Sequence, residues 1–499
     1  MTASSNTSNK PGRGSRIIVL MMIISCLAQV LNIAKTSLIG GIFGASSELD
    51  AFNFANSITT FTFGILASGI STIVIPCYVQ KDKRRSLDAF ITAIYAVQLL
   101  IILLLGALRF DLVALFSGKQ GAFVQTTGSI LTLLLTANYI ASFANLATAY
   151  LQANNRYIVP QLISFAAQLA TVLLLLFLPD MDIRLYALII AAGLALNAVG
   201  GLCVALGHGW RFRPRLLRGD AGAGELIHRF LPTIFSSGVY QLSLMVDSTI
   251  ASRLDVGKVT ILSYSSQIAS VVNAILVGNL LAYLFPKIVA NIQSSDSQRK
   301  FWRQSVLMHS IICLVIAGFI AIGREGVSLL FEHGRFDAQT ARYVFLGAAI
   351  YIIGQQTNVV RDLIYRYFYA RGNTAVTARN SVLVSVVNIA VSLVLVRLIG
   401  FFGIILGTVI ASLVSLIRIM FIFRKTVGAD PSMGRAIFSY LRNLAMAAVT
   451  AAIVLLSKRL LPEMSDIPAI LIFGVETVVL YLGQVALFDR GQIRTLREL

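Results

Sequence analysis

The chain has 499 residues, 57% of them hydrophobic and only 13% charged, with a mean hydropathy of +0.80. That profile excludes a soluble globular protein and identifies a polytopic membrane protein. The formal net charge of +19 does not point to nucleic acid, because the basic residues sit between apolar runs rather than along one face or in one tail.

Apolar runs of about 20 residues, the length that a hydrocarbon core of about 30 Å demands of a helix, occur fourteen times along the chain. The alternating segments of a β-barrel are not seen, so the predicted fold class is an all-α polytopic membrane protein of two six-helix lobes plus a C-terminal helix pair. Residues 1–16 form an N-terminal tail. The first lobe, 17–207, holds spans at 17–43, 51–79, 88–108, 127–151, 157–178 and 185–207. Its first run follows Lys10, Arg13 and Arg16 as a signal peptide would, but it is too long for one and holds Asn32 and Lys35, so it reads as a retained helix. A basic linker at 208–228 leads to the second lobe, 229–423, with spans at 229–252, 259–286, 302–323, 341–370, 374–396 and 401–423. A loop at 424–436 precedes the extra pair at 437–487, whose spans are 437–457 and 467–487, and a tail at 488–499 follows.

The two lobes carry one unit twice. Gly64-Ile65-Leu66 leads to Pro76 just as Ala274-Ile275-Leu276 leads to Pro286, an offset of 274 − 64 = 210 residues. Downstream, Leu115-Phe116 answers Leu330-Phe331, and YLQANN at 150–155 answers YFYARG at 367–372. In a membrane protein such a duplication places a substrate path at the interface of the halves. The loops 109–125 and 324–340 occupy equivalent positions, and each contains a mixed apolar and charged stretch, DLVALF or GVSLLF, with the character of a short interfacial helix. The clusters at 81–85 and 211–215, and Arg299, Lys300 and Arg303, fall on one side, so the positive-inside rule places both termini in the cytoplasm.

Polar groups inside a bilayer are costly unless they face protein, water or substrate, so their spacing marks the inward faces. Ser25, Gln29, Asn32 and Lys35 share one face of the first span, and Asn53, Asn56 and Thr60 one face of the second. Ser236, Tyr240, Ser243 and Asp247 do so on the seventh, and Gln355, Asn358, Asp362 and Arg366 on the tenth. Single amides such as Asn145 and Asn197 read as glue between helices. Lys35 either snorkels to the headgroups or holds a phosphate in a cavity as a point charge. Asp247 is a cation or proton site, or the partner of an arginine. Asp362 and Arg366, at i and i+4, form a pair; Arg361 lies beside them. Asp50 is an N-cap of the second span or a functional acid. Glu476 is protonated or faces the thirteenth span. Cys26, Cys77, Cys203 and Cys313 are isolated and read as unpaired packing residues, and the four histidines are scattered.

GGIFGASSELDAFNFAN followed by GILASGISTIVIP resembles the first signature of the MurJ (MviN-like) lipid II flippases, within the multidrug/oligosaccharidyl-lipid/polysaccharide exporter superfamily. DSTIASRL with LSYSSQIASVVNAILVGNLLAYLFP, and LLFEHGRFDAQTA with YFYARGNTAVTAR, resemble the family's later segments. The likeness covers nearly the whole chain and includes fourteen helices, where most of the superfamily has twelve. It implies a two-lobed flippase that carries an undecaprenyl-diphosphate-linked saccharide from the inner to the outer leaflet of the bacterial cytoplasmic membrane by alternating access. It also implies a cationic cavity with an acid at the DAF motif, which Asp50 matches. Here Gln29, Lys35, Phe63-Gly64 and Gln267 stand where the family keeps arginines, so one positive charge remains, as lysine.

The substrate-facing set is therefore Gln29, Asn32, Lys35, Asp50, Asn53, Asn56, Gln267, Gln355, Asn358 and Arg361. An amide-rich cavity suits sugars, and the cargo is lipid II or an exopolysaccharide or O-antigen repeat unit. The resemblance also places a coupling cation, Na+ or H+, at Asp247, Asn388 and Thr408, with Ser392 in place of a carboxylate. No other cofactor is implied, and no GxxxxGK loop for ATP occurs. Membrane lipids and a polysaccharide or peptidoglycan polymerase are the implied partners, nucleic acid is not, and a monomer suffices. The alternatives are a multidrug antiporter of the same superfamily, which the extra helix pair disfavours, and a lipid-linked glycosyltransferase. The second would be an enzyme, and it lacks a sizeable external loop with a carboxylate pair.

Overall fold

A computed structural model describes residues 13–80, 84–178, 180–217, 220–278, 296–371, 373–428, 430–462, 464–489 and 491–492. Most of the N-terminal tail, residues 81–83 of the first basic cluster, Pro286 within 279–295, Gly372 and most of the C-terminal tail lie outside the described residues, as does the side chain of Ser236.

The helices are α1 (Arg13–Phe43), α2 (Ser47–Gln80), α3 (Arg84–Ala107), the short α4 (Arg109–Ser117), α5 (Ala122–Ala153), α6 (Ile158–Phe177), α7 (Ile183–Gly207) and α8 (Ala221–Ser252). They continue with α9 (Lys258–Val272), which runs into a π-helical turn at Asn273–Gly278, and then α10 (Ser297–Phe331), α11 (Ala338–Ala370) and α12 (Thr374–Ile399). The last three are α13 (Phe402–Val427), α14 (Pro431–Leu460) and α15 (Asp466–Phe488). Among the described residues each of the fourteen apolar runs falls on these helices, the eighth as far as Gly278, and no strand occurs. Eleven helices there are long and apolar enough to cross a membrane. An all-α polytopic membrane protein is what the hydrocarbon core requires, since a helix satisfies its own backbone hydrogen bonds.

Local chemistry sets several helix starts. Asp182 accepts from Leu185 N at 2.8 Å and Asp337 from Thr340 N at 2.8 Å, each ahead of an apolar run. Asp220, at the end of the linker, accepts from the Ser86 hydroxyl at 2.8 Å and from Ala223 N at 3.1 Å. These hydrogen bonds, Ser86 first, hold its carboxyl below the usual carboxylate range and tie the start of α8 to α3.

The chain divides into two compact units that cut across the sequence halves. One comprises Met1–Lys35, Leu66–Leu104 and Leu133–Leu231; the other comprises Thr36–Ile65, Leu105–Thr132 and Pro232–Leu499. In the first unit α6 packs along α7, Tyr95 donates to Ser142 O at 2.7 Å, and Trp210 Nε1 donates to the Tyr78 hydroxyl at 2.9 Å. In the second unit α12 packs along α13, and α10 packs against α11, α14 and α15. Its core gathers Phe301, Trp302, Tyr367 and Phe423, with Phe301 and Phe423 stacked at 5.4 Å and Tyr367 at 5.0 Å from Phe423.

The extra pair docks on α10. Cys313 and Ala317 meet Met446, Ala447, Tyr481 and Val485, and one turn further Ala321 meets Val454, Ala469 and Phe473. Lys458 Nζ bridges Glu325 at 2.7 Å and donates to Ala321 O at 2.6 Å. This contact explains a difference between the two repeat-related loops. DLVALF forms the separate α4, as its pattern predicts, whereas GVSLLF is the unbroken continuation of α10 to Phe331. The first half has no helix pair to hold such an extension.

Two polar contacts follow within these helices. Asp362 accepts from its neighbour Arg361, whose Nε and Nη2 lie 3.0 and 2.9 Å from Oδ1. Adjacent helical residues point apart, but the long guanidinium folds back along the helix. Glu476 faces the thirteenth span, accepting from the Ser457 hydroxyl at 2.7 Å, and none of the four cysteines is in a disulfide. Phe423 is fully buried within the aromatic cluster, so Phe423→Ala should cost about 3–5 kcal/mol of stability, read as a lowered thermal midpoint of the purified protein. An unchanged midpoint would show that the cluster does not anchor this unit.

Candidate functional site

The 210-residue offset of the duplication makes residue 260 the counterpart of Asp50, and the two touch. Asp50 is fully buried, and its Oδ1 accepts from Thr260 N at 2.8 Å and Thr260 Oγ1 at 2.7 Å. Its Oδ2 accepts from Gly257 N at 2.6 Å, and Asn53 Nδ2 donates to Thr260 Oγ1 at 3.2 Å. Gly257, at φ +88, is the residue from which α9 starts. Asp50 therefore caps a helix of the other half, where its charge also complements the helix dipole. Its own helix is capped by the Ser46 hydroxyl, which accepts from Leu49 N at 3.2 Å. Fully committed to these donors, Asp50 makes no opening toward a ligand in this conformation.

Neighbouring contacts extend the same junction within the second unit. Gly41 O accepts from Arg335 N at 2.7 Å, and the Ser37 hydroxyl donates to Leu330 O. Gly334, at φ +61, lies so close to the Gly41 carbonyl that any side chain there would collide with it. Thr36 Oγ1 is 2.7 Å from Gln267 Nε2, and the Tyr264 hydroxyl donates to Thr36 O at 3.1 Å. GGIFGASSELDAF and LLFEHGRFDAQTA, far apart in sequence, are thus in direct contact. Thr260 was missed from sequence, although the repeat offset alone would have singled it out.

A second constellation joins α8, α12 and α13. Asn388 Nδ2 lies 3.1 Å and Thr408 Oγ1 3.4 Å from Asp247 Oδ2, and Ser392 Oγ lies 3.3 Å from Asn388 Oδ1. Ser392 was noted in sequence as the residue replacing a carboxylate; it also reaches Ile404 O at 3.3 Å. Gly407 lets α13 approach this closely, since a side chain there would meet Ser392 Oγ. Asp247 is 3% exposed and its Oδ1 has no hydrogen-bond partner. The carboxylate, amide and hydroxyl oxygens form an oxygen-rich, water-poor cluster, a donor set suited to a hard monovalent cation.

The substrate-facing residues are divided between the two units. Gln29, Asn32 and Lys35 belong to the first unit and the others to the second. Asn32 and Lys35 line a cavity of about 150 Å³ with Ser164, Gln168, Thr171 and Asn197. Ser164 donates to Asn197 Oδ1 at 3.1 Å, the interhelical role read for that amide. Asn56 is exposed on α2, while Asn358 Nδ2 lies 3.3 Å from Gln355 Oε1 and Arg361 is held by Asp362. The cap at Asp50 yields a direct expectation. Asp50→Ala removes three charge-assisted hydrogen bonds of about 1.5–3 kcal/mol each and orphans the start of α9. A cysteine placed at Ser37 should then react faster with a thiol reagent applied from that face; an unchanged rate would show that Asp50 does not hold the junction shut.

Comparison with known proteins agrees with this geometry. Residues 39–472 match the family described as lipid II flippase MurJ. The chain is 25% identical over 466 residues to a probable lipid II flippase MurJ of Thermotoga maritima, covering 91% of this chain and 93% of that one. It is 24% identical over 454 residues to the lipid II flippase MurJ of Burkholderia cenocepacia, covering 84% and 85%. Among solved structures, a lipid II flippase MurJ in an inward closed conformation superposes with a TM-score of 0.79 at 18% identity, over 95% of this chain and 100% of that one. An inward-facing multidrug resistance MATE transporter of the MOP superfamily gives 0.68 at 13% identity, over 82% and 97%. The architecture is common to both kinds of transporter, and the sequence match separates them: this chain belongs to the lipid II flippase MurJ family.

Proposed function

We propose that this chain is a transporter, not an enzyme, that carries lipid II across the bacterial cytoplasmic membrane by alternating access, in peptidoglycan biosynthesis. The observation that carries the reading is the buried junction centred on Asp50 and Thr260. Repeat-related residues meet there, so the junction is a closure across the pseudo-symmetric halves, made of hydrogen bonds that can be exchanged for water when the halves part. With both termini cytoplasmic, the junction lies at the outer end of the helices and seals that side while cargo enters from the inner leaflet. Lys35, set among amides and hydroxyls, supplies a positive charge for the diphosphate, and Asn32 and Gln29 hydrogen bond the saccharide. The chain acts as a monomer and hands its cargo to a polymerase.

A second cargo, an exopolysaccharide or O-antigen repeat unit, is favoured by one observation. Gln267, where the resemblance leads to an arginine, is neutral and engages Thr36. Expression in cells depleted of their own lipid II flippase separates the two: rescue of growth is expected, and failure to rescue at normal protein level, with loss of a surface polysaccharide on deletion in the native host, would support the second cargo. In the rescued strain Lys35→Gln should abolish growth without lowering protein level, and normal growth would remove Lys35 from cargo binding.

The oxygen cluster at Asp247, Asn388 and Thr408 couples transport to a monovalent cation, Na+ or H+. The unpartnered Asp247 Oδ1 supports this reading. Asp247→Asn keeps the shape and removes the charge, so transport into vesicles should lose its dependence on the cation gradient. Retained dependence would assign coupling elsewhere.

A further inference from the structure

Tyr240 lies near the middle of α8, inside the second unit, and is 53% exposed. Among the described residues its ring stacks on no other aromatic and its hydroxyl has no hydrogen-bond partner. The exposure is not toward lipid. Tyr240, Ser243 and Asp247 stand at i, i+3 and i+7 on one face of the helix, and the burial of Ser243 and Asp247 turns that face into the unit. The exposed Phe235 and Leu242 occupy roughly the opposite face. A half-exposed ring on an inward face has open space beside it that a ligand can enter.

Within electrostatic reach of that ring stand Arg361 and Asp362 of α11. Their pair is only partly covered, at 18% and 31% side-chain exposure. Both guanidinium bonds end on Asp362 Oδ1, which leaves Oδ2 without a donor among the described residues. The pair is also held in place. Arg361 sits 5.7 Å from the centre of the Tyr365 ring, and the Tyr365 hydroxyl accepts from Asn380 Nδ2 at 2.9 Å. Asn380 is fixed in turn by Ser415 Oγ at 2.7 Å and by Arg418, which donates to its Oδ1 at 2.9 Å. Three polar residues with no other assignment thus steady one ion pair, and charges kept inside membrane spans mark a ligand path.

The pair carries no net charge, so it does not select a phosphate as Lys35 does in the first unit. Guanidinium and carboxylate side by side present fixed donors and acceptors, which neighbouring hydroxyls can meet. The flat ring beside them suits the apolar C–H face of a pyranose. A lipid tail would use neither charge. We propose that Tyr240, Arg361 and Asp362 form a saccharide subsite of the second unit, where a sugar ring of the cargo stacks on Tyr240 and its hydroxyls hydrogen bond Asp362 Oδ2 and Arg361. The subsite rests on the cargo reading above and adds to it the residues that recognise the sugar.

Native mass spectrometry of the full-length protein, titrated with lipid II and with undecaprenyl diphosphate, tests it, because the second lipid has the same tail and phosphates without the sugar. The wild type is expected to hold lipid II about tenfold more tightly. Tyr240→Ala and Asp362→Asn should each erase that preference and leave the binding of undecaprenyl diphosphate as it was, and Tyr240→Phe, which restores the ring, should recover it. If Tyr240→Ala fails to fold, Tyr240→Leu, which keeps the bulk without the flat face, carries the test. An undiminished preference in these variants, an equal loss of both lipids, or a wild type that holds both lipids alike would overturn the subsite and leave the phosphate role of Lys35 standing. A wild type that binds neither lipid would sink the cargo reading, and the subsite with it.

Discussion

A single buried carboxylate organises the junction of the two halves. Asp50 gives up its hydration entirely, which would be costly for an isolated ion, and three donors from the opposite half compensate. Two of those donors are the free backbone N–H groups at the start of α9, groups that any helix must satisfy. The acid and the helix start therefore need each other. Because Asp50 and Thr260 are repeat counterparts, the contact lies on the pseudo-symmetry of the duplication. The glycines at 41 and 334 then bring the flanking backbones together.

The second half carries packing that the first half has no helices to match. The extra helix pair covers α10, and the Lys458–Glu325 bridge extends that cover to the end of the helix. Further along α10 the Ser305 hydroxyl meets that of Tyr440 at 2.6 Å, and Tyr481 donates to Ser310 O at 3.0 Å. Polar links of this kind set register between helices in lipid, where apolar contacts alone do not discriminate. The same packing brings α12 and α13 close enough for Asn388, Ser392 and Thr408 to surround Asp247.

Much of this was legible in the residues, to different depths. The helices were, because a run of apolar residues has one stable form in a bilayer. Asp247, Asn388 and Thr408 were named from a family likeness, and they do come together; their spacing of 141 and 161 residues carried no local signal. Asp50 was legible as a cap but not as the cap of a distant helix, since capping chemistry looks the same in either case. The bond from Arg361 to Asp362 was not legible, because adjacent helical residues point apart and only the reach of the long guanidinium brings them together.

Sequence by itself determined the class, the duplication and the family, because these follow from composition and order along one chain. Tertiary structure decided which polar residues meet. In a membrane, buried polar groups find partners wherever packing brings them, so Asp50 closes the junction and Lys35 joins the amides of the first unit. Such pairings depend on helix rotation and depth, quantities set by the packed whole rather than by any stretch of the chain.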